Sequence, residues 1–289
     1  MTQTLPPSDR FLLAGVMGWP VMHSRSPLIH NHWFRQQGLA GVYVPLAIRP
    51  EDLQAALRAL PALGFAGCNV TIPHKQQAMQ IVDELDESAR AIGAISCVTV
   101  RADGSLAGSN NDAFGFVRNL RQQQPAWRPD AGPVVVLGAG GGARAVCHGL
   151  LQQGVREIRL VNRSLPRAQA VAQAVAQALG AGMTAVPWPQ RHDALAGAAL
   201  VVNTTSQGMM GQTALDIRLD ALPLAAIAAD IVYVPLLTPF LAAARARGNP
   251  TVDGLGMLLQ QGPLAWKSWF GLEPVVTEEL RQLVVQSLS

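Results

Sequence analysis

The chain has 289 residues, 49% hydrophobic and 14% charged, with 27 glycines and 20 prolines; this fits one large or two ordinary globular domains and excludes a disordered chain. Lys and Arg number 22 against 19 for Asp and Glu, a net charge of +3, with no basic run interleaved with aromatics, so small anionic ligands are expected and a nucleic-acid groove is not. Cys68, Cys97 and Cys147 lack metal-ligand spacing and read as free thiols of a reducing cytoplasm; no secretory leader is expected at the start, nor a membrane span in the apolar tract from Ala221 to Ala244, which Asp230 and prolines interrupt.

Taken in order, Phe11 to Met17 reads as a strand, followed by a loop with Ser24 and Ser26 and a helix beginning near Pro27. A second strand over 41–48, an amphipathic helix from Glu51 to Leu63 and a third strand from Gly67 to Ile72 make the pattern α/β. Helices are expected from Gln76 to Leu85 and Glu87 to Ile92. A hairpin turning at Asp103-Gly104 comes next, and then Asp112 at a helix start. The polar stretch from Arg121 to Asp130 marks a boundary. Beyond it come a strand, a helix from Ala143 to Gln153, a strand from Ile158 to Val161 and a helix from Leu165 to Leu179. Further strands are expected at Leu200–Asn203 and Ala228–Val232, and helices at Met257–Phe270 and Thr277–Ser287, the last pair folding back onto the first domain.

The clearest chemical signal is at residues 134–143. Val134 to Leu137 reads as a strand buried on both faces, and Gly138, Gly140 and Ala143 have the G-x-G-x-x-A spacing of a dinucleotide-binding turn. There, free amides and the helix dipole bind a pyrophosphate. The next strand ends in Asn162-Arg163-Ser164, where an NAD-specific site would carry an acid; Arg163 and Arg167 instead suit the 2′-phosphate of NADP, making NAD the less favoured cofactor. In the first half, Asn69 and Thr71 share one face of a strand, with Lys75 just past its end. Lys75 with Asp112 forms a plausible proton-handling pair for a ketone. His23, His30 and His74 have no ligand-spaced partners and read as structural, so no metal is expected.

Eight ordered strings, GWPVMHSRSPLIHN (18–31), NVTIPHK (69–75), GSNNDAFGF (108–116), GAGGGARA (138–145), NRSLPRA (162–168), NTTSQGM (203–209), DIVYVPLLTPF (230–240) and GLGMLLQQ (254–261), resemble the shikimate dehydrogenase family along almost the whole chain. The resemblance implies an N-terminal α/β substrate domain, residues 1–120 completed by helices of 253–289, and a Rossmann-type NADP domain at 121–252, with the active site between them. It implies NADP-dependent interconversion of 3-dehydroshikimate and shikimate. By position, Lys75 and Asp112 would be catalytic. Ser24, Ser26 and Thr71 would hold the carboxylate of a polyhydroxy cyclohexene or cyclohexane acid, with Asn69, Ser96, Tyr233 and Gln261 also at the substrate. Gly138, Ala139, Gly140, Gly141, Gly142 and Ala143 would cradle the pyrophosphate. Asn162, Arg163, Ser164 and Arg167 would surround the 2′-phosphate, and Thr204, Met209 and Gly254 would complete the cofactor site. The chain departs from the family pattern Gly-Ala-x-Asn-Thr at Ser96 and Cys97, and Asn111 replaces the usual Thr before Asp112. Those departures leave open a related substrate of quinate or aminoshikimate type, or a nucleotide-binding regulatory protein. Monomer and homodimer are both compatible with the sequence.

Overall fold

The computed structural model describes residues 11–179 and 182–288. They divide into two compact α/β units, one comprising the chain to Arg90 with Ala94–Asn111 and Gly262–Ser287, the other Ala91–Gly93 with Asp112–Gln261.

The strands β1 (Leu12–Gly18), β2 (Gly41–Ala47), β3 (Gly67–Val70), β4 (Glu84–Leu85), β5 (Cys97–Val100) and β6 (Leu106–Ser109) form a six-stranded sheet in the order β2-β1-β3-β5-β6-β4. The first three strands are parallel, and β5–β6 is an antiparallel hairpin added to β3. Register puts Tyr43 opposite Ala14, Asn69 opposite Val16 and Cys97 opposite Asn69, so Tyr43, Asn69 and Cys97 share one face. The other face carries Met17, Cys68, Val70 and Val98, which pack on Leu53, Leu57 and Leu60 of the segment around α2 (Leu53–Ala59). α3 (Lys75–Met79) and α4 (Glu87–Ile92) follow; Ala78 and Ala89 join the same core.

The helix expected over 76–85 is therefore a single short turn of chain followed by a strand. Asp83 accepts the Leu106 amide and pairs with Arg58, which draws the segment out to the sheet edge beside β6. The helix expected over 51–63 opens as a 3₁₀ turn at Pro50–Asp52 and ends at Ala59, before Pro61 and Gly64, whose φ is +76°.

α1 (Ser26–Gln36) and the final helix α10 (Glu278–Gln286) pack together. An aromatic nest built from Trp33, Phe34, Tyr43, Trp266, Trp269 and Phe270 surrounds His30. The His30 ring stacks on Tyr43 at 4.1 Å, and its Nδ1 accepts from Trp266 Nε1 at 2.7 Å. Burial lowers the imidazole pKa from 6.5 to about 3, so the folded chain refuses a proton that the unfolded chain takes. This contribution to stability is complete above pH 6.5 and is lost progressively as pH falls toward the folded value. We expect a cost of about 2–3 kcal/mol two pH units below the unfolded value. It would be read as a fall in Tm on acidification that is smaller in His30→Gln.

The second sheet contains β7 (Val134–Leu137), β8 (Glu157–Asn162), β9 (Gly182–Pro187), β10 (Leu200–Asn203), β11 (Ile227–Asp230) and β12 (Thr251–Val252), all parallel, in the order β12-β11-β10-β7-β8-β9. Counted from β7 this is the 3-2-1-4-5-6 order of the doubly wound dinucleotide fold, whose ligand crevice opens where the winding reverses, between β7 and β10. α5 (Asp112–Gln123), α6 (Gly141–Gln152), α7 (Leu165–Leu179) and α8 (Pro239–Ala246) accompany it. Val134 to Leu137 is buried throughout, as its apolar run requires.

α5 packs on α6, with Gly149 set against the Ala113 carbonyl, where a Cβ would lie 3.0 Å away. Asn119 donates to the Asp253 carbonyl at 2.7 Å and Gln260 to Gln122 at 2.8 Å. These bonds tie α5 and the start of α9 (Leu255–Phe270) to this unit, whereas the polarity of 121–130 suggests a boundary after α5. The strands β9 and β12 and helix α8 have no expected counterpart. β12 has two residues, too few for a period to show, and α8 lies in the tract whose prolines read as breaks although Pro239 sits at its first turn, capped by Thr238.

Candidate active site

In the second unit, a pocket of about 220 Å³ lies at the carboxyl ends of β7, β8 and β10, lined by Gly138, Ala139, Gly140, Asn162, Arg163, Arg167, Trp188, Thr204, Thr205, Ser206 and Gln207. Gly138 has a φ of +110°, and a Cβ there would stand 2.8 Å from Thr204 Oγ1, so the turn has no room for a side chain. Gly140 leaves open space, and α6 begins directly after it with no side-chain cap, so its first amides face an incoming ligand. Gly138→Ala is expected to raise the KM for the dinucleotide at least about tenfold, the strain of a misplaced turn being on the order of 1–3 kcal/mol; steady-state kinetics measures it.

The lining holds two cations and no acid. Arg167 Nε donates to the Ala139 carbonyl at 3.0 Å, which fastens the cationic side chain to the glycine turn, while Arg163 is exposed at the β8 end. Nearby Arg144, in the first turn of α6, is half-buried with an unpartnered Nε; burial first, then the Arg167 charge, lowers its pKa. Cations gathered without an acid to neutralise them suit a polyanion, and a glycine turn leading into a free helix N-terminus suits its pyrophosphate; the residues present fit NADP.

Thr205, Ser206, Gln207 and Trp188 also line the pocket, although no spacing in the sequence marks them. The loop after β10 is shaped from below. Asn203 Nδ2 donates to Asp230 at 3.0 Å and to the Gln207 carbonyl at 3.1 Å, and Asn203 Oδ1 accepts from Thr205 N at 3.0 Å. Asp230, buried at the end of β11, also accepts from Thr238 and from Val232 N, and its carboxyl is pushed up to about 6, chiefly by burial. Trp188 is braced by the Arg191 guanidinium 5.0 Å from its ring centroid.

Gly141, Gly142, Ala143 and Ser164 lie beside this pocket without lining it. The first three form the opening turn of α6, with Ala143 fully buried, and Ser164 Oγ accepts from Arg167 N at 3.4 Å. Met209, Tyr233 and Gly254 are also outside it; Gly254 is buried against the Ile231 carbonyl, and Gln261 is half-buried on α9, touching the backbone position of Gly115.

In the first unit, a second polar cluster surrounds the ends of β1 and β3. Ser24 Oγ accepts from Ser26 N at 3.2 Å. Tyr43 donates from its hydroxyl to Asn69 Oδ1 at 2.7 Å and Asn69 Nδ2 donates to the Ser96 carbonyl at 3.2 Å, which fixes the amide's orientation. The Tyr43 hydroxyl also touches the Ser26 side chain. Thr71, whose amide donates to the Met17 carbonyl, packs against Gly18. Lys75 opens α3, half-exposed, behind the fully buried His74, whose Nε2 lies 2.8 Å from the Ile48 carbonyl. Ser96 is 2% exposed, its Oγ accepting from Asn111 N at 2.9 Å. Asp112, 2% exposed, is the next residue and the first of α5.

Fold and pocket together define an α/β protein with a dinucleotide-binding unit and a second unit that carries polar and cationic side chains at its strand ends. Residues 16–98 match the shikimate dehydrogenase substrate binding domain and residues 124–214 the shikimate/quinate 5-dehydrogenase model. A shikimate dehydrogenase (NADP(+)) of Paramagnetospirillum magneticum is 54% identical over 96% of this chain and 99% of its own. Among solved structures, a quinate dehydrogenase from Corynebacterium glutamicum in complex with NAD aligns with a TM-score of 0.89 at 33% identity, covering 96% of this chain and 99% of that one. A shikimate 5-dehydrogenase from Thermus thermophilus in complex with NADP(H) and shikimate gives 0.83 at 34% identity, covering 96% and 100%. The chain belongs to the shikimate dehydrogenase family.

Proposed function

We propose that this chain is an NADP-dependent oxidoreductase that interconverts 3-dehydroshikimate and shikimate. The observation that carries the reading is the pocket that gathers Arg163 and Arg167 around a glycine turn and holds no acid, in a chain whose family includes relatives named for this reaction. NADP, when bound, takes up or delivers the hydride, which accounts for both electrons. In the oxidative direction the C3–H bond of shikimate breaks, its electron pair leaves with the hydrogen, and the hydroxyl proton passes to a base. In the reductive direction negative charge builds on the ketone oxygen.

Lys75 and Asp112 are assigned the proton work. An ammonium within hydrogen-bond reach of the oxygen stabilises the developing charge and supplies the proton, while a carboxylate orients the hydroxyl and holds the amine in place. Ser24, Ser26 and Thr71 offer neutral hydroxyl donors to the substrate carboxylate, which decides which ring face is presented. Asn69, held through its oxygen by Tyr43, keeps an amide proton for a ring oxygen. Tyr233 and Gln261 are assigned to the substrate, and Met209, Thr204 and Gly254 to the cofactor. The three cysteines are buried and free, in keeping with a reducing cytoplasm. Among the described residues no helix is long and apolar enough to cross a membrane.

The second reading is a dehydrogenase of a related acid, quinate or an aminoshikimate, favoured by Ser96 and Asn111 in place of the usual pair. A panel of these acids with NADP⁺ and with NAD⁺ separates the readings. Fastest turnover of shikimate with NADP⁺ supports the first, preference for another acid supports the second, and cofactor binding without turnover of any acid points to a regulatory protein.

A further inference from the structure

We infer that Asn111 is a specificity-determining residue whose side-chain amide donates to a non-reacting hydroxyl of the substrate ring; this rests on the functional reading above. Asn111 is 6% exposed, and its Nδ2 meets no oxygen or nitrogen acceptor, only the weakly accepting sulfur of Cys97. A buried amide donor left unmade costs about 1–3 kcal/mol, a cost that a bound ligand removes. Beside it lies the Cys97 sulfur, which burial pushes up to about 12 and so keeps as a thiol, a weak acceptor. Two neighbouring backbone amides are already committed: Asn111 N donates to Ser96 Oγ, and Ser96 N donates to the Ser109 carbonyl.

The same geometry gives Ser96 a different part. Its Oγ is occupied under the backbone of Asn111, and the residue is 2% exposed, so it acts as a positioning residue for Asn111 and Asp112 rather than as a ring contact. Asn69, whose Nδ2 reaches the Ser96 carbonyl, borders the same spot. An amide with an unused donor, one residue before the assigned catalytic carboxylate and beside an assigned substrate residue, is placed to read a hydroxyl near the reacting carbon.

The test compares kcat/KM for shikimate and for its 4-deoxy and 5-deoxy analogues in the wild type, Asn111→Thr and Ser96→Ala, with Asn111→Ser as the second variant should threonine not fold. Threonine and serine keep a small polar side chain but lack the amide. Asn111→Thr is expected to lower kcat/KM for shikimate roughly 10- to 100-fold while changing that for one deoxy analogue less than about threefold, because a site built to bond a hydroxyl rejects the analogue lacking it. Ser96→Ala, acting through position, is expected to lower all three substrates alike. Equal losses on all three substrates in Asn111→Thr, or no loss in a folded variant, would overturn the inference. If the wild type turns over none of the three, the functional reading falls and the inference with it; if it turns them over without discriminating, only the inference falls.

Discussion

Lys75→Met is expected to lower kcat by roughly 10²- to 10⁴-fold with little change in the KM for shikimate or NADP, the range of a positioned general acid or base. The half-exposed side chain opens α3, whereas the segment is held by His74 beneath it and by the Ile95 amide, which donates to the Lys75 carbonyl at 3.0 Å. Methionine keeps the length and apolar stem and removes the charge. Steady-state kinetics with Tm as control separates the two roles: a fall in kcat at unchanged Tm is the expected result, and a fall in Tm with kcat retained would make the lysine structural. Asp112→Asn, which preserves shape, is expected to behave similarly.

The second large effect concerns the cofactor. Arg163→Ala is expected to raise the KM for NADP about 10- to 100-fold while leaving that for NAD within about twofold, since a charge-assisted bond to phosphate contributes about 1.5–3 kcal/mol and NAD has no 2′-phosphate to lose. Arg167 differs because its Nε also holds the Ala139 carbonyl of the glycine turn. Arg167→Ala should therefore weaken NADP strongly and NAD to a smaller but measurable degree. Equal losses for both cofactors in Arg163→Ala would mean that this arginine does not read the phosphate.

Much of the second unit is legible in one dimension because its signals are local. A buried β-branched run, a glycine turn and the helix after it are consecutive in sequence, and the arginines of the next strand end follow at the spacing the doubly wound fold requires. Gly138, Arg163 and Arg167 do line one pocket. What remains hidden depends on strands meeting across the switch point. Thr205 to Gln207 line the pocket because β10 lies beside β7, and Asp230 supports them from β11, a relation no spacing rule encodes. Trp188 follows β9, whose residues, Gly182 to Pro187, show no alternation of polar and apolar side chains.

In the first unit, the strand carrying Asn69 and the cluster ending in Lys75 are readable from alternation alone. Tyr43 is not, because its hydroxyl matters only once β1 aligns β2 with β3. The departures at Ser96 and Asn111 are visible in the sequence as two separate oddities. Their contact, one side-chain oxygen under the other's amide, makes them one feature.

Direct hydride transfer between the C3 carbon of shikimate and NADP is the step on which the proposed function stands. Incubating C3-deuterated shikimate with NADP⁺ and following the products by mass spectrometry tests it without intermediaries. NADPH carrying one deuterium, formed in step with 3-dehydroshikimate and more slowly than from protiated shikimate, is the expected result; deuterium released to solvent, or unlabelled NADPH, would contradict direct transfer.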